Sequence, residues 1–580
     1  MKILSAASTI GFCILFFSHS LHAYKEAIRY NELSTELSLR GIALPDGSGV
    51  SVTQVEAEET SGAGNFLPNS QNGQFSGKTI TDQSGGGSSS GHATNVGREL
   101  YGNSQSISPG IQTVDAYSAN SFINSAWRTG VPPTETNPLQ NHSWVNWLSG
   151  GSTFSEPNAE MTVRMDYAAE RDSFLPIAGL DNSDYPNPIP VRPTEIPPIY
   201  ASIYNGISVG VSDSSHRTGT TQYDGIGRTK PEIVAPSNFT SFATPMVTSA
   251  AAFLIDAADG NSSADDPIVL KATLLAGADK AISTDWDQTT TRPIDEVYGA
   301  GELDIYESYF IQRAGQQASG STLQARGWNL ANLNNNNSHN YTITVPDGFE
   351  LHDLSALITW NREVSYESNN WWEPATFSAS LADLSLQLSG ANMTTHISNS
   401  PVDNIEHIWR GSGQALSAGS YTLTVATNRS VKYALAWRSR LYQDYALWQA
   451  SSFSSATTLD LQDPGDDPDG DGFANLLEQA FGGDPETPEA NIAPQYTIVE
   501  DGGNSYLQIN FARPMHDNAI EYAVETTTDL EDSWSDSTDD VILFSIATEY
   551  DGMERYTYRR TAPISGNNQA FLRVAVSQRQ

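Results

Sequence analysis

The chain has 580 residues, 38% of them hydrophobic, with 12 Trp, 24 Tyr and 20 Phe, enough apolar surface for three or four packed units. Lysine and arginine number 30 against 68 acidic residues, a net charge of -38. A surface that acidic repels DNA and anionic membranes, which argues against nucleic acid as a partner; it suits a soluble secreted protein or one that binds divalent cations.

From Met1 to Ala23 the sequence has one lysine, the apolar run IGFCILFF, then HSLHA before Tyr24. This is a signal-peptide pattern, too short for a membrane span, with small Ala23 at the expected cleavage position. The single cysteine, Cys13, lies inside that run. The mature protein then has no thiol, so disulfides and thiol catalysis are excluded. No later stretch is long and apolar enough to span a bilayer, and the expected location is extracellular, periplasmic or at the cell surface. The interval from Tyr24 to Gly49 is too short for a folded pro-domain.

Strands and helices alternate from Gly49 onward. GVSVTQVEA, IQTVDAY, LQNHSW, SFLPIAGL and GISVGVS read as strands; GHATNVGRELYG is a loop entering a helix, SANSFINSAWRTG is amphipathic, and EMTVRMDYAAERD is helical. Helices over Ser241–Ala258, Pro267–Ala278 and Leu303–Ala314 complete the unit. This alternation predicts an α/β fold, a mostly parallel sheet with helices on both faces. After about Gly320 the helical periods stop. Short period-two runs such as HNYTITV, SALITWN, SLQLSG and GSYTLTVATN predict an antiparallel β-sandwich, and YTIVE, SYLQINF, EYAVETTT and FLRVAV a second β-domain. The expected division is 1–23 signal peptide, 24–315 α/β domain, 316–440 β-sandwich, 441–490 linker, 491–580 C-terminal β-domain.

Three segments combine into a reactive set. A strand ends in Glu56; the glycine-flanked Gly91-His92-Ala93-Thr94-Asn95-Val96-Gly97 delivers a histidine onto a helix; Thr240-Ser241-Phe242-Ala243-Thr244-Pro245 sets a serine at a helix start. A serine there is an N-cap in its plain reading. In its sharper reading it is a nucleophile whose oxyanion faces free N–H groups and the positive end of the helix dipole. Acid, histidine, serine is one of the chain orders in which a serine triad is built on an α/β sheet.

With these residues the chain resembles the subtilisin-like serine proteases, the subtilases. The family's His-Gly-Thr-His-Val-Ala-Gly is similar to His92 through Gly97, and its Gly-Thr-Ser-x-Ala-Thr-Pro to Thr240 through Pro245, preceded by KPEIVAP. Gln140-Asn141-His142-Ser143-Trp144 resembles the family's Val-Asn-x-Ser-Leu-Gly strand, and Tyr298-Gly299-Ala300-Gly301 its closing Gly-x-Gly. The resemblance covers roughly Tyr24 to Gly315. It implies catalysis by Ser241, His92 and, in place of the family's aspartate, Glu56, although Glu58 and Glu59 follow closely and a strand-end acid is also a calcium ligand type. Phe239 and Ala93 stand where the family has glycines. The family's oxyanion asparagine falls on Leu180 without a gap and on Asn182 with a small shift, the better choice because leucine has no donor.

A separate pattern, Asp467-Pro-Asp469-Gly-Asp471-Gly472-Phe473-Ala-Asn475-Leu-Leu-Glu478, fits the twelve-residue calcium loop. Oxygen ligands come from Asp467, Asp469, Asp471, Asn475 and Glu478, the Phe473 carbonyl adds another, and Gly472 makes the turn. The loop resembles those of dockerins, EF-hands and thrombospondin type 3 repeats, in one copy where dockerins carry a pair. Structural Ca2+ is therefore the one expected cofactor, stiffening the joint between the β-regions, and none is expected for catalysis.

The expected function is a secreted serine endopeptidase acting on a protein or peptide. The alternative is an inactive exported protein that binds a surface or polysaccharide through its β-domains, with Trp371 and Trp372 as stacking platforms. A polysaccharidase lacks a recognisable carboxylate pair.

Overall fold

The computed structural model describes residues 24–579 apart from 124–126, 128–129, 146–155, 183–198, 222–225, 368–375, 490, 550–551 and 565–568. The expected signal segment with Cys13, and the pair Trp371 and Trp372, lie outside the described residues.

Strands β1 (Ser51–Glu56), β2 (Thr79–Asp82), β3 (Thr113–Ser118), β4 (Leu139–His142), β5 (Leu175–Gly179), β6 (Ile207–Val211) and β7 (Ile233–Ala235) form one seven-stranded sheet in the order β7-β6-β5-β4-β1-β3-β2. Every neighbouring pair is parallel. Parallel strands buried on both faces lose the alternation of a half-exposed sheet, and β5 and β6, LPIAG and ISVGV, are buried at every position. Around the sheet lie α1 (Tyr30–Leu39), α2 (Gly91–Tyr101), α3 (Ala119–Ile123), α4 (Glu156–Asp172), α5 (Thr240–Ala257), α6 (Pro267–Gly277) and α7 (Ile305–Arg313). One face packs Val52, Val114, Ile177 and Val209 under Ala243, Val247 and Ala250 of α5. The other packs Val55 and Ala178 against Phe122, Met161 and Met165. The α/β class read from the sequence is the fold observed.

Two features of this unit were not read from the sequence. Helix α1 fills the interval that the sequence left blank, burying Leu33 and Leu37, one helical turn apart, in the main core. The edge strand β2 is four residues long and half exposed, too short and polar to stand out as a strand.

The C-terminal half is antiparallel, as expected. Strands β8 (Arg326–Leu333), β9 (Ser338–Val345), β10 (Glu350–Trp360), β11 (Leu384–Gly390), β12 (His396–Ser398), β13 (Ile405–Arg410), β14 (Gly419–Thr427) and β15 (Val431–Tyr442) make two four-stranded sheets, β8-β15-β10-β13 and β9-β14-β11-β12. Trp360, Tyr341, Tyr433 and Trp437 fill the space between them. This sandwich is not a loosely tethered module. Helix α6 packs on β10 and β15, and Lys280 just beyond it donates to Ala278 O at 2.8 Å and Ser355 Oγ at 3.1 Å. Buried Arg362 meets buried Asp166 of α4 at 2.5 Å.

The connector carries α8 (Tyr445–Ser452) and α9 (Asn475–Phe481). The last unit has sheets β16-β17-β20-β19 and β18-β21, built from Gln495–Asp501 (β16), Asn504–Pro514 (β17), Ile520–Thr527 (β18), Val541–Thr548 (β19), Met553–Arg560 (β20) and Phe571–Gln578 (β21). Arg40 beyond α1 reaches Glu554 of β20 at 2.7 Å, so the N-terminal helix also touches the C-terminal unit. Among the described residues no helix is long and apolar enough to cross a membrane.

Candidate active site

The carboxyl ends of β1, β4 and β5, with the amino ends of α2 and α5, surround a cleft of about 350 Å³. Its lining includes His92, Ser241, Asn182, Leu180, Trp144 and Glu59. Clefts on open parallel sheets form at strand carboxyl ends, and the residues singled out in the sequence come together in one of them.

Glu56 is the last residue of β1 and is 1% exposed. One carboxylate oxygen lies 2.8 Å from His92 Nδ1; the other accepts from Gln54 Nε2 at 3.1 Å. Gln54 also donates to Ala93 O at 3.0 Å and accepts from the Tyr101 hydroxyl at 2.7 Å. Gln54 was not singled out in the sequence. The signal for it was strand periodicity: residues two apart point to the same face, so Gln54 stands beside Glu56. The glutamate's extra methylene relative to aspartate is thus accommodated with the carboxylate anchored from behind.

His92 occupies the first turn of α2, whose N-cap Ser90 accepts from Ala93 N–H at 3.1 Å. Burial alone lowers the imidazole's pKa. The hydrogen bond and charge of Glu56, helped by Glu59, more than reverse that and hold it above the ordinary 6.5. The ring lies 5.8 Å from that of Phe242, next to the serine.

Ser241 stands in the first turn of α5. That helix forms from an Ala-rich run without glycine; Pro245 lies inside it, in its second turn, and has no N–H to give the Ser241 carbonyl, so the helix start carries one backbone bond fewer. The capping residue Phe239 has no side-chain acceptor, so the first N–H groups are left for other partners. That of Thr240 donates to Asn182 Oδ1 at 2.8 Å. That of Ser241 meets no acceptor among the described residues. Among the described residues the Ser241 hydroxyl and His92 are not hydrogen-bonded, although both line the cleft; apo catalytic contacts are commonly loose.

Of the two readings for an oxyanion donor, the chain path separates them. Leu180 continues the sheet, its N–H bonded to Val209 O at 3.0 Å and its side chain 1% exposed. Asn182 is on the cleft. The Thr240 N–H donates to its amide oxygen at 2.8 Å, while the Thr240 hydroxyl gives its proton to Leu180 O at 2.5 Å; among the described residues the Asn182 NH2 end meets no acceptor.

The residues of the acidic pattern lie between β15 and β16. Carboxylate oxygens of Asp467, Asp469 and Asp471 come within 4.8 Å of one another, and Asn475 and Glu478 are buried on α9. Burial, then repulsion from Asp471 and Asp469, pushes the Glu478 carboxyl up to about 8.

No protein-family model matches the chain, and no curated protein does. Among solved structures, the Prenylagaramide maturation protease PagA is similar at 18% identity over 48% of this chain and 97% of that one, with a TM-score of 0.33. A cold adapted subtilisin-like serine proteinase is similar at 16% identity over 44% and 91%, TM-score 0.30. The epidermin leader peptide processing serine protease of Staphylococcus aureus is similar at 14% over 53% and 83%, TM-score 0.33.

Proposed function

We propose that the protein is an exported serine endopeptidase of the subtilisin-like kind, acting through Ser241, His92 and Glu56. The observation that carries this reading is the joint placement of a helix-start serine with a free N–H and a carboxylate-bound histidine on one cleft. Phe239, not Ser241, holds the N-cap position, so Ser241 is not there as a cap.

In the proposed reaction His92 Nε2 takes the Ser241 proton as Oγ attacks the scissile carbonyl. Glu56, already on Nδ1, holds the imidazole in the tautomer with Nε2 free and stabilises the cation that forms. The carbonyl oxygen gains negative charge, which the Ser241 N–H and the Asn182 NH2 receive; one such donor contributes about a hundred- to thousandfold in rate. Protonated His92 then gives its proton to the leaving amine, and water repeats the sequence on the acyl-enzyme. Ser241–His92 contact tightens when substrate fills the cleft. A protein or peptide is the substrate class, and Trp144, Val145 and Leu180 offer it apolar walls.

The test is casein hydrolysis by wild type and Ser241→Ala, both checked for the same circular dichroism. The variant should lose all but about one part in a million of kcat. Equal hydrolysis by the two would assign the activity elsewhere and favour a binding role for the chain.

A further inference from the structure

Between the sandwich and the C-terminal unit the chain folds around a set of acids whose hydrogen bonds are incomplete. Asp467 accepts from the N–H groups of Gly470 at 2.9 Å and Gly472 at 3.0 Å, Asp469 from that of Asp471 at 3.1 Å, and Asp471 from those of Phe473 and Glu489, both at 2.8 Å. Those bonds alone describe an acidic turn. Glu478 does not belong to such a turn: it is 1% exposed, and among the described residues neither of its oxygens has a partner. The carboxylates of Asp467, Asp469 and Asp471 gather within 4.8 Å of one another just ahead of the helix that carries it. Asp469 Oδ2 and Asn475 Oδ1 are likewise buried without partners among the described residues. An ionised carboxylate is not buried beside others of its sign unless a cation compensates it.

We propose that Asp467, Asp469, Asp471 and Glu478, with the Asn475 amide oxygen and the Phe473 carbonyl, bind one Ca2+, and that the ion locks α9 as the joint between the sandwich and the C-terminal unit. Four carboxylates and two neutral oxygens on a glycine-containing loop suit the larger, more tolerant Ca2+ over octahedral Mg2+. A side chain at Gly483 would fall 1.6 Å from Glu478 Oε2, so the chain closes tightly over that carboxylate. On the same short helix, Gln479 Nε2 reaches Gln443 O, just past β15, at 3.5 Å and Asn518 O, just before β18, at 3.3 Å. Ala480 and Phe481 enter the core of the C-terminal unit, and the Tyr522 hydroxyl donates to Ala480 O at 2.7 Å. Holding Glu478 therefore holds a helix bonded to both sides. The proposal stands independently of the protease reading.

The full chain, stripped with EDTA, is titrated with CaCl2 by calorimetry, and its melting and limited proteolysis are compared in Ca2+, Mg2+ and EDTA. One binding event is expected, with a rise in Tm of about 5 °C in millimolar Ca2+ and suppression of nicking between Asp463 and Asp484. Glu478→Gln and Asp469→Asn should each abolish the response. Glu478→Gln is close to isosteric and puts no charge into the buried site, so in EDTA it should melt no lower than wild type, which separates loss of the site from misfolding. No binding heat, or heat that survives both substitutions, overturns the site. Binding that leaves melting and nicking unchanged overturns the locking role.

Discussion

Glu56 is held by two donors, His92 Nδ1–H on one oxygen and Gln54 Nε2–H on the other, and its charge decides the state of the histidine. A base must be neutral to act, so a His92 pKa held above 6.5 puts the acid limb of kcat/KM above pH 6.5. Glu56→Gln removes the charge while keeping the shape. Burial is then opposed only by the charge of Glu59, the imidazole pKa falls, and the acid limb should move to lower pH while kcat drops by about 10³- to 10⁴-fold. A pH–rate profile measured on a small peptide checks both effects, and an unmoved limb would mean that a different group titrates. Stability follows the opposite branch: the pair favours the folded state below about pH 6.5 and loses that contribution as pH rises through the raised pKa.

At the scale of elements, the trio was legible because each member sits at a boundary with its own sequence signature: an acid ending a strand, a histidine in a glycine-flanked loop entering a helix, a serine opening an Ala-rich helix. The supports were less legible. Gln54 looks like any polar residue in a strand until the sheet buries both faces and makes it a bridge to Tyr101 and Ala93. Asn182 was preferred to Leu180 on donor chemistry alone; that the chain beyond β5 carries it onto the cleft is what sequence spacing does not give. Helix α1 has only two buried leucines, too weak a pattern to be read without the core it enters. The contact of α5 with the end of β5 gives a further test. A Cβ at Gly179 would lie 2.7 Å from Thr244 Oγ1, one helical turn beyond Thr240, so Gly179→Ala must push the start of α5 away. The expected cost is about 1–3 kcal/mol of stability, and the displaced Ser241 should lose about a hundredfold in kcat. Full activity in Gly179→Ala would show that the placement of α5 is less constrained than the packing implies.

At the scale of the whole molecule, the sandwich shares buried polar contacts with the α/β half in place of a flexible linker. The Asp166–Arg362 pair is fully buried, and Asp166 also accepts from the Tyr204 and Asn205 N–H groups at 3.0 and 2.8 Å. Arg362→Ala leaves Asp166 buried without its cation, which typically costs about 3–5 kcal/mol. Calorimetry should show the joint transition of α/β unit and sandwich shifted to lower temperature as one event; a sandwich peak that moves alone would mean that the two halves are independent. The net charge of -38 makes copies of the chain repel one another without bearing on the chemistry. What that chemistry is rests on Ser241. Labelling with a fluorophosphonate probe, followed by mass spectrometry of the labelled peptide, reads it most directly: wild type should carry one adduct on Ser241, and Ser241→Ala and His92→Ala should carry none. Wild type that stays unlabelled, or an adduct that persists in Ser241→Ala, would contradict the account.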